Sequence, residues 1–404
     1  MDSLTQIVLG AAVGEVCLGR KIGNRAMLWG AIGGTIPDLD VLANGILSEV
    51  EALAFHRGIS HSIFFAVLMS FISGWLIHRL YNTKKGHFLE GGLAILFHTL
   101  ISIILIIIFY TIASPVGVGV GILFTILFYM YGLHKLWKDF IFVQVIDKPS
   151  LREWQFMMFF ALFTHPILDC FTSYGTQLFA PFSNYRVAFN NISVADPAYT
   201  LPFLLCIIIT SFFYRTSRVR RVFTASGLII SSVYMIFTIV NMQAVKKIMS
   251  NTLSVQNIDY SRSRVSPAIL SNVLWTGAAE TDSFFYQGLY SQFDIKKNFK
   301  LIPIPKNYNL IADAKVDDKT INILKWFSDG YYTILRRSDG RLQFNDMRFG
   351  TFNGVDYGED DYIFRFIIEK QADGYYKMLD SKGGPKRGSE DQMASQLWNR
   401  IKGI

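Results

Sequence analysis

The sequence predicts a polytopic α-helical membrane bundle of about six to eight membrane helices, followed by a small soluble α+β domain. Three observations predict it. Only 17% of the 404 residues are charged and 51% are hydrophobic; an average soluble chain is about 25% charged, so much of this one faces lipid. The charge is also uneven: residues 1–245 hold 16 Lys/Arg and 12 Asp/Glu, and residues 246–404 hold 23 and 19. Finally, the first part consists of long apolar runs and the second of short alternating ones. These place a transmembrane domain at 1–245 and a soluble domain at 250–404.

A membrane helix needs about 20 mostly apolar residues. Two shorter Gly-rich stretches come first, near 3–19 and 24–36. They form either a spanning hairpin or a re-entrant pair, and Gly10, Ala11, Gly14, Gly30, Gly33 and Gly34 permit close helix approach. Runs at 60–80, 88–112, 116–134, 154–175, 199–214 and 222–243 follow. From about residue 250, SFFYQGLYSQF (283–293), GYYTILRR (330–337) and YIFRFIIEK (362–370) read as strands. Ser338-Asp339-Gly340 is a turn signal, and EDQMASQLWNRIK (390–402) reads as a closing amphipathic helix.

The loops carry an orientation. Segments 20–25, 79–87, 135–152 and 215–221 hold fourteen Lys/Arg, whereas the alternate connections hold only Arg57 and Arg186. The positive-inside rule puts the basic loops in the cytoplasm, and about eight crossings leave both termini and the soluble domain outside. The net charge of +8 thus follows from topology, and no nucleic acid is expected as a stable partner. Membrane lipids are expected; nothing points to a protein partner. Cys17, Cys170 and Cys206 fit no thiolate metal motif and read as small buried hydrophobes. The start, MDSLTQIVLG, lacks the basic n-region of a cleavable signal peptide.

All seven histidines lie between positions 56 and 165. Topology puts His78, His87 and His134 at cytoplasmic ends and His98 inside a span, where a hydrogen-bonded core role is expected. His56, His61 and His165 fall in the outer half with Asp38, Asp40 and Asp169. In IPDLD (36–40) two acids follow a proline that ends or bends the helix, and buried acids favour a cation partner. In HRGISH (56–61) Gly58 lets the chain turn so that both imidazoles face one point, unless Ser60 simply caps the next helix. Arg57 has the planar fork suited to a phosphate oxygen. In HPILDCFTSYGTQ (165–177), His165 and Asp169 share a helix face that Thr172 continues. Asp196, before Pro197, is a candidate for a supporting contact, as is Arg186. Asp2, Gln6 and Gly10 repeat every four residues along the first helix and point to the same side; Glu15 reads as a packing or pairing residue.

MDSLTQIVLGAAVGE, IPDLD, HRGISHS and HPILDCFTSYGTQLFAPFS, in this order, closely resemble the membrane-bound metal-dependent hydrolases of the YdjM-like, LexA-regulated inner-membrane family. The resemblance is strong over about residues 1–200, and SPAILSNVLWTGAAET and the RFG at 348–350 resemble the C-terminal domain of longer members. That family is grouped distantly with zinc-dependent phospholipase C and the zinc single-strand nucleases. The resemblance implies a bacterial inner-membrane location and metal ligation by Asp38 or Asp40, His56, His61, His165 and Asp169. Many members have a histidine where this chain has Gln6, which implies a smaller or altered cluster.

The expected activity is metal-dependent hydrolysis of a phosphoester or phosphodiester in a lipid or lipid-linked substrate at the outer membrane face. One of Asp38 and Asp40 would ligate while the other orients water or acts as general base, and Arg57 would hold substrate phosphate. Gln6, Thr172, Asp196 and Arg186 would support the ligands or touch substrate. The mixed donor set suits Zn²⁺, with Mn²⁺ or Mg²⁺ as alternatives. The rival readings are a metal transporter, which predicts further ionisable groups deeper in the bundle, where only Glu15, Glu90 and His98 are available, and a non-catalytic sensor or scaffold with a structural metal.

Overall fold

The computed structural model describes residues 1–112, 115–136, 148–351, 354, 356–379 and 390–403. Residues 113–114 of the connection expected at 113–115 and most of the basic loop at 135–152 lie outside them.

Helices α1 (Ser3–Ile22) and α2 (Asn24–Thr35) form a tight hairpin. Asp2 starts it by accepting from the Thr5 N–H at 3.0 Å, and Gly23 turns it with φ 64°. The approach is close because small residues meet: a Cβ on Gly10 would run into the Gly30 carbonyl, and one on Gly14 into the Ala26 carbonyl. Pro37 then opens a 3-10 helix, Pro37–Gly45, which carries both acids of IPDLD. Helix α3 (Glu49–Phe55) and a short 3-10 turn (Ile59–His61) lead into α4 (Ile63–Tyr81). Ser62, not Ser60, caps α4, its Oγ accepting from the Phe65 N–H at 3.0 Å.

Helices α5 (Lys84–Ile112) and α6 (Pro115–Leu136) precede α7 (Leu151–Cys170), which starts on a Ser150/Glu153 capping box. Trp154, Met157, Met158, Ala161 and Leu162 make α7 the buried centre of the bundle, packed by α1, α2 and α4. It stops at Cys170 rather than continuing to 175, because the following segment turns to bridge Thr172 with Ile192 and Thr176 with Val187. Helix α8 (Pro197–Phe212) follows, capped by Asp196. The described residues contain three helices long and apolar enough to cross a membrane, at Ile63–Tyr81, Leu89–Ile107 and Arg218–Val255. Val118–His134 and Pro197–Phe212 are shorter apolar helices.

Helix α9 (Arg218–Val255) has 38 residues, about 57 Å at 1.5 Å per residue, well beyond the roughly 30 Å of hydrocarbon. Its far end leaves the bundle and packs Met242, Val245, Met249 and Leu253 against Val265, Trp275, Tyr290 and Phe299 of the C-terminal domain.

That domain is two antiparallel four-stranded meanders. The first is β1 (Arg262–Pro267), β2 (Leu274–Glu280), β3 (Phe284–Ser291) and β4 (Ile302–Pro305). The second is β5 (Tyr332–Arg336), β6 (Leu342–Asp346), β7 (Arg365–Lys370) and β8 (Tyr376–Met378). The expected strands coincide with β3, β5 and β7, and the Asp339-Gly340 turn joins β5 to β6 with Gly340 at φ 83°. Helix α10 (Lys319–Phe327) covers the second sheet, and α11 (Glu390–Ile401) closes the chain. Val50 of α3 joins that core, with Ile321, Leu324 and Phe327. The domain therefore sits at the end of the bundle where IPDLD and HRGISH lie.

Candidate metal centre

Three segments meet at this end of the bundle. The Asp38 Oδ1 lies 3.5 Å from the His61 Nε2 and 3.4 Å from the His165 Nε2, and the two nitrogens are 3.1 Å apart. Donors on one tetrahedral zinc, with bonds of about 2.0–2.1 Å, stand about 3.3 Å from one another. Asp38, His61 and His165 therefore have the spacing needed to hold a metal ion. The Asp169 Oδ2 lies 3.4 and 3.5 Å from the same two nitrogens. It is buried and no hydrogen bond satisfies it.

The second nitrogen of each histidine settles which lone pair is free. The His165 Nδ1–H donates to the Gly34 carbonyl at 2.6 Å. The His61 Nδ1 is 3.0 Å from the Ser60 Oγ and 3.3 Å from the Asp40 carboxylate, while the Ser60 hydroxyl donates to Asp40 at 3.1 Å. A carbonyl and a carboxylate only accept, so the Nδ1 atoms carry the hydrogens. Both Nε2 lone pairs then point into the cluster, the tautomer a metal needs. A buried group of acceptors with no donor between them fits a cation.

Asp40 stands behind His61 and takes no place in the cluster. It accepts from the Arg57 N–H at 2.9 Å and pairs with the His56 Nδ1 at 3.0 Å. Burial acts to raise its carboxyl, but the hydrogen bonds from His56 and His61 outweigh it and hold the group well below the usual carboxylate range. His56 faces Asp40 and the Tyr174 ring, 5.3 Å away; the two imidazoles of HRGISH both meet the Asp40 carboxylate, and only His61 also reaches the cluster. The turn between them is made by Arg57, at φ 57°, and not by Gly58. Gly58 is needed for space, since a Cβ there would come 2.7 Å from the Phe55 carbonyl oxygen.

The Arg57 guanidinium is turned inward. It donates to the Thr172 hydroxyl at 2.8 Å and lies 3.3 Å from the Asp169 Oδ1. The Gln6 amide donates to the same Oδ1 at 3.1 Å and to the His165 carbonyl at 3.2 Å, and the Met1 amino group also reaches Oδ1. Gln6 thus steadies a ligand pair rather than offering a donor nitrogen of its own. Asp196 sits elsewhere, capping α8 and accepting from the Tyr234 hydroxyl at 3.0 Å. Arg186 is at the domain junction, donating to the Phe327 carbonyl at 2.6 Å.

Of the six ligands expected from the sequence, Asp38, His61, His165 and Asp169 come together, and Asp40 and His56 form a ring outside them. The Gly34 carbonyl, Ser60 and Tyr174 were not anticipated as parts of the site. Only the serine carried a usable signal, as a hydroxyl beside a candidate ligand.

The sequence profile of the YdjM inner membrane protein family matches residues 1–245. No curated protein and no solved structure matches the chain.

Proposed function

The chain belongs to the YdjM inner membrane protein family, and from that premise we propose that it is a metal-dependent hydrolase. On this reading it cleaves a phosphoester or phosphodiester of a lipid or lipid-linked substrate at the outer face of the membrane. The observation that carries the reading is the set of acceptors from Asp38, His61, His165 and Asp169, facing one another in a buried space with no donor among them. A divalent cation held there, Zn²⁺ by donor set with Mn²⁺ or Mg²⁺ as the other candidates, supplies Lewis-acid activation of water and of a phosphoryl oxygen.

The chain's own residues do the rest. Asp40 orients His61, Gly34 orients His165, and Arg57 with Gln6 holds Asp169 in place. Among the four candidate ligands only Asp38 has a partly exposed side chain, at 20%, so substrate approaches along the 3-10 helix. Leu39, Val41 and Leu42 on that helix, and Ile46 just after its end, are exposed, Ile46 by 90%. Large apolar side chains flanking the entrance suit an acyl chain better than a soluble phosphate ester.

The six-to-eight-span, multi-pass topology and the outer location of the site belong to this proposal, as do the division at 245–250 and the likeness to zinc-dependent phospholipase C and the zinc nucleases. The transporter reading needs free acids deeper in the bundle. Glu15 is instead paired with Arg220 at 2.5 Å, Glu90 accepts from the Trp29 N–H at 3.0 Å and pairs with Arg25, and His98 meets the Tyr129 carbonyl at 3.2 Å. A phosphodiester and phospholipid hydrolysis screen on wild type and Asp38→Ala tests the activity. Metal-dependent turnover abolished by the substitution is expected; turnover indifferent to it sinks the reading.

A further inference from the structure

A cavity of about 190 Å³ lies between the loop after α7 and the C-terminal domain, lined by Tyr174, Arg186, Trp326, Asp329, Arg264 and Arg348. Three guanidinium groups meet there. Arg186 donates to the Tyr174 and Phe327 carbonyls and lies 5.1 Å from the centre of the Trp326 ring. Arg264 donates to the Ser173 carbonyl at 3.0 Å and to the Asn190 side chain. Its Nε is buried with no hydrogen-bond partner among the described residues. Arg348 is held by Asp346, whose Oδ2 lies 2.6 Å from its Nη2.

The negative charge on hand is smaller. Asp346 is fully buried and committed to Arg348, and Asp329 is 70% exposed and 3.8 Å from the Arg264 Nη1. Burial, followed by the nearby Arg348 charge, pushes Arg186 down to about 9 and Arg264 down to about 10. Like charges brought together out of water are costly unless an anion joins them. Guanidinium groups, with planar forks of N–H donors, match the oxygens of phosphate better than any other side chain.

We propose that this cavity is an anion site that takes a phosphate group, either free phosphate or the headgroup of an anionic lipid. The Tyr174 ring links it to the metal centre, since Arg57 and Arg186 each lie 5.0 Å from its centroid and His56 packs against it. Binding here does not require the metal centre to be loaded or to hydrolyse anything. It ties the loop after α7, the domain and the bundle together through one ligand.

The test is calorimetric titration of the purified full-length protein in zwitterionic detergent with EDTA present. One arm uses inorganic phosphate and the other dihexanoyl phosphatidic acid, with dihexanoyl phosphatidylcholine as the comparison. Binding should weaken by roughly tenfold in Arg264→Gln and tighten severalfold in Asp329→Asn. The second variant removes a competing carboxylate that is exposed, at a left-handed position Asn tolerates, so it keeps the test valid if Arg264→Gln fails to fold. Response to inorganic phosphate assigns a free anion; response to phosphatidic acid alone assigns a headgroup. Binding of neither, or binding indifferent to Asp329→Asn, overturns the proposal.

Discussion

The Nε2 atoms of His61 and His165 face each other across 3.1 Å, with both side chains fully buried. Because each Nδ1 is a donor to its own partner, this is two lone pairs pointed at one another. Apposed acceptors repel, and Asp38 and Asp169 add two carboxylates to the same space. A cation held between them would relieve that repulsion.

If Asp40 acts by orienting His61, Asp40→Asn should leave the ligands in place and weaken zinc binding by about 10–100-fold. Competition against a chromophoric chelator measures it. Unchanged affinity would show that Asp40 does nothing for the cluster, and complete loss of the metal would make it a ligand.

His56 and His61 should behave differently although they are five positions apart. His56→Ala removes a partner of Asp40 at 3.0 Å and should leave metal stoichiometry unchanged. His61→Ala should abolish binding. Equal loss in both variants, by elemental analysis, would return His56 to the ligand set.

The α1–α2 hairpin has no room for side chains at its crossing. Gly10→Val forces a branched residue against the Gly30 carbonyl and should destabilise by about 1–3 kcal/mol or more. Gly45→Ala, with nothing within 4 Å of the added carbon, is the matched control. A Gly10→Val protein as heat-resistant in detergent as the control would contradict the packing.

Glu15 and Arg220 are buried partners, at 2.5 and 2.7 Å. Glu15→Gln leaves the arginine charge uncompensated and should cost about 3–5 kcal/mol. Glu15→Leu combined with Arg220→Met should recover most of it. A double variant no better than Glu15→Gln alone would show that the pair does not act as a unit.

The sequence carried the helical N-terminal region and a candidate His/Asp metal group, but not the hierarchy among the candidate ligands. Apolar runs were readable because lipid demands them, and the glycines of α1 and α2 were readable because close approach excludes side chains. His165 and Asp169 were readable as a pair because one helical turn separates them. Asp38 and Asp40 could not be ranked, since which of them faces the cluster depends on a 3-10 turn and on the left-handed Arg57. Neither leaves a periodic pattern. The extension of α9 to Val255 was hidden for a different reason: past the membrane its buried face is set by the Trp275 and Phe299 side chains it meets, which lie far away in sequence. The basic cavity was illegible because Arg186, Arg264 and Arg348 come from three separate segments.

Metal content of the purified full-length protein tests the central claim most directly, measured on wild type, Asp38→Ala and His165→Ala after zinc loading and desalting. The account predicts tightly held metal in wild type and its loss in both variants, with thermal unfolding showing that the variants remain folded. Folded wild type that retains no metal would contradict it.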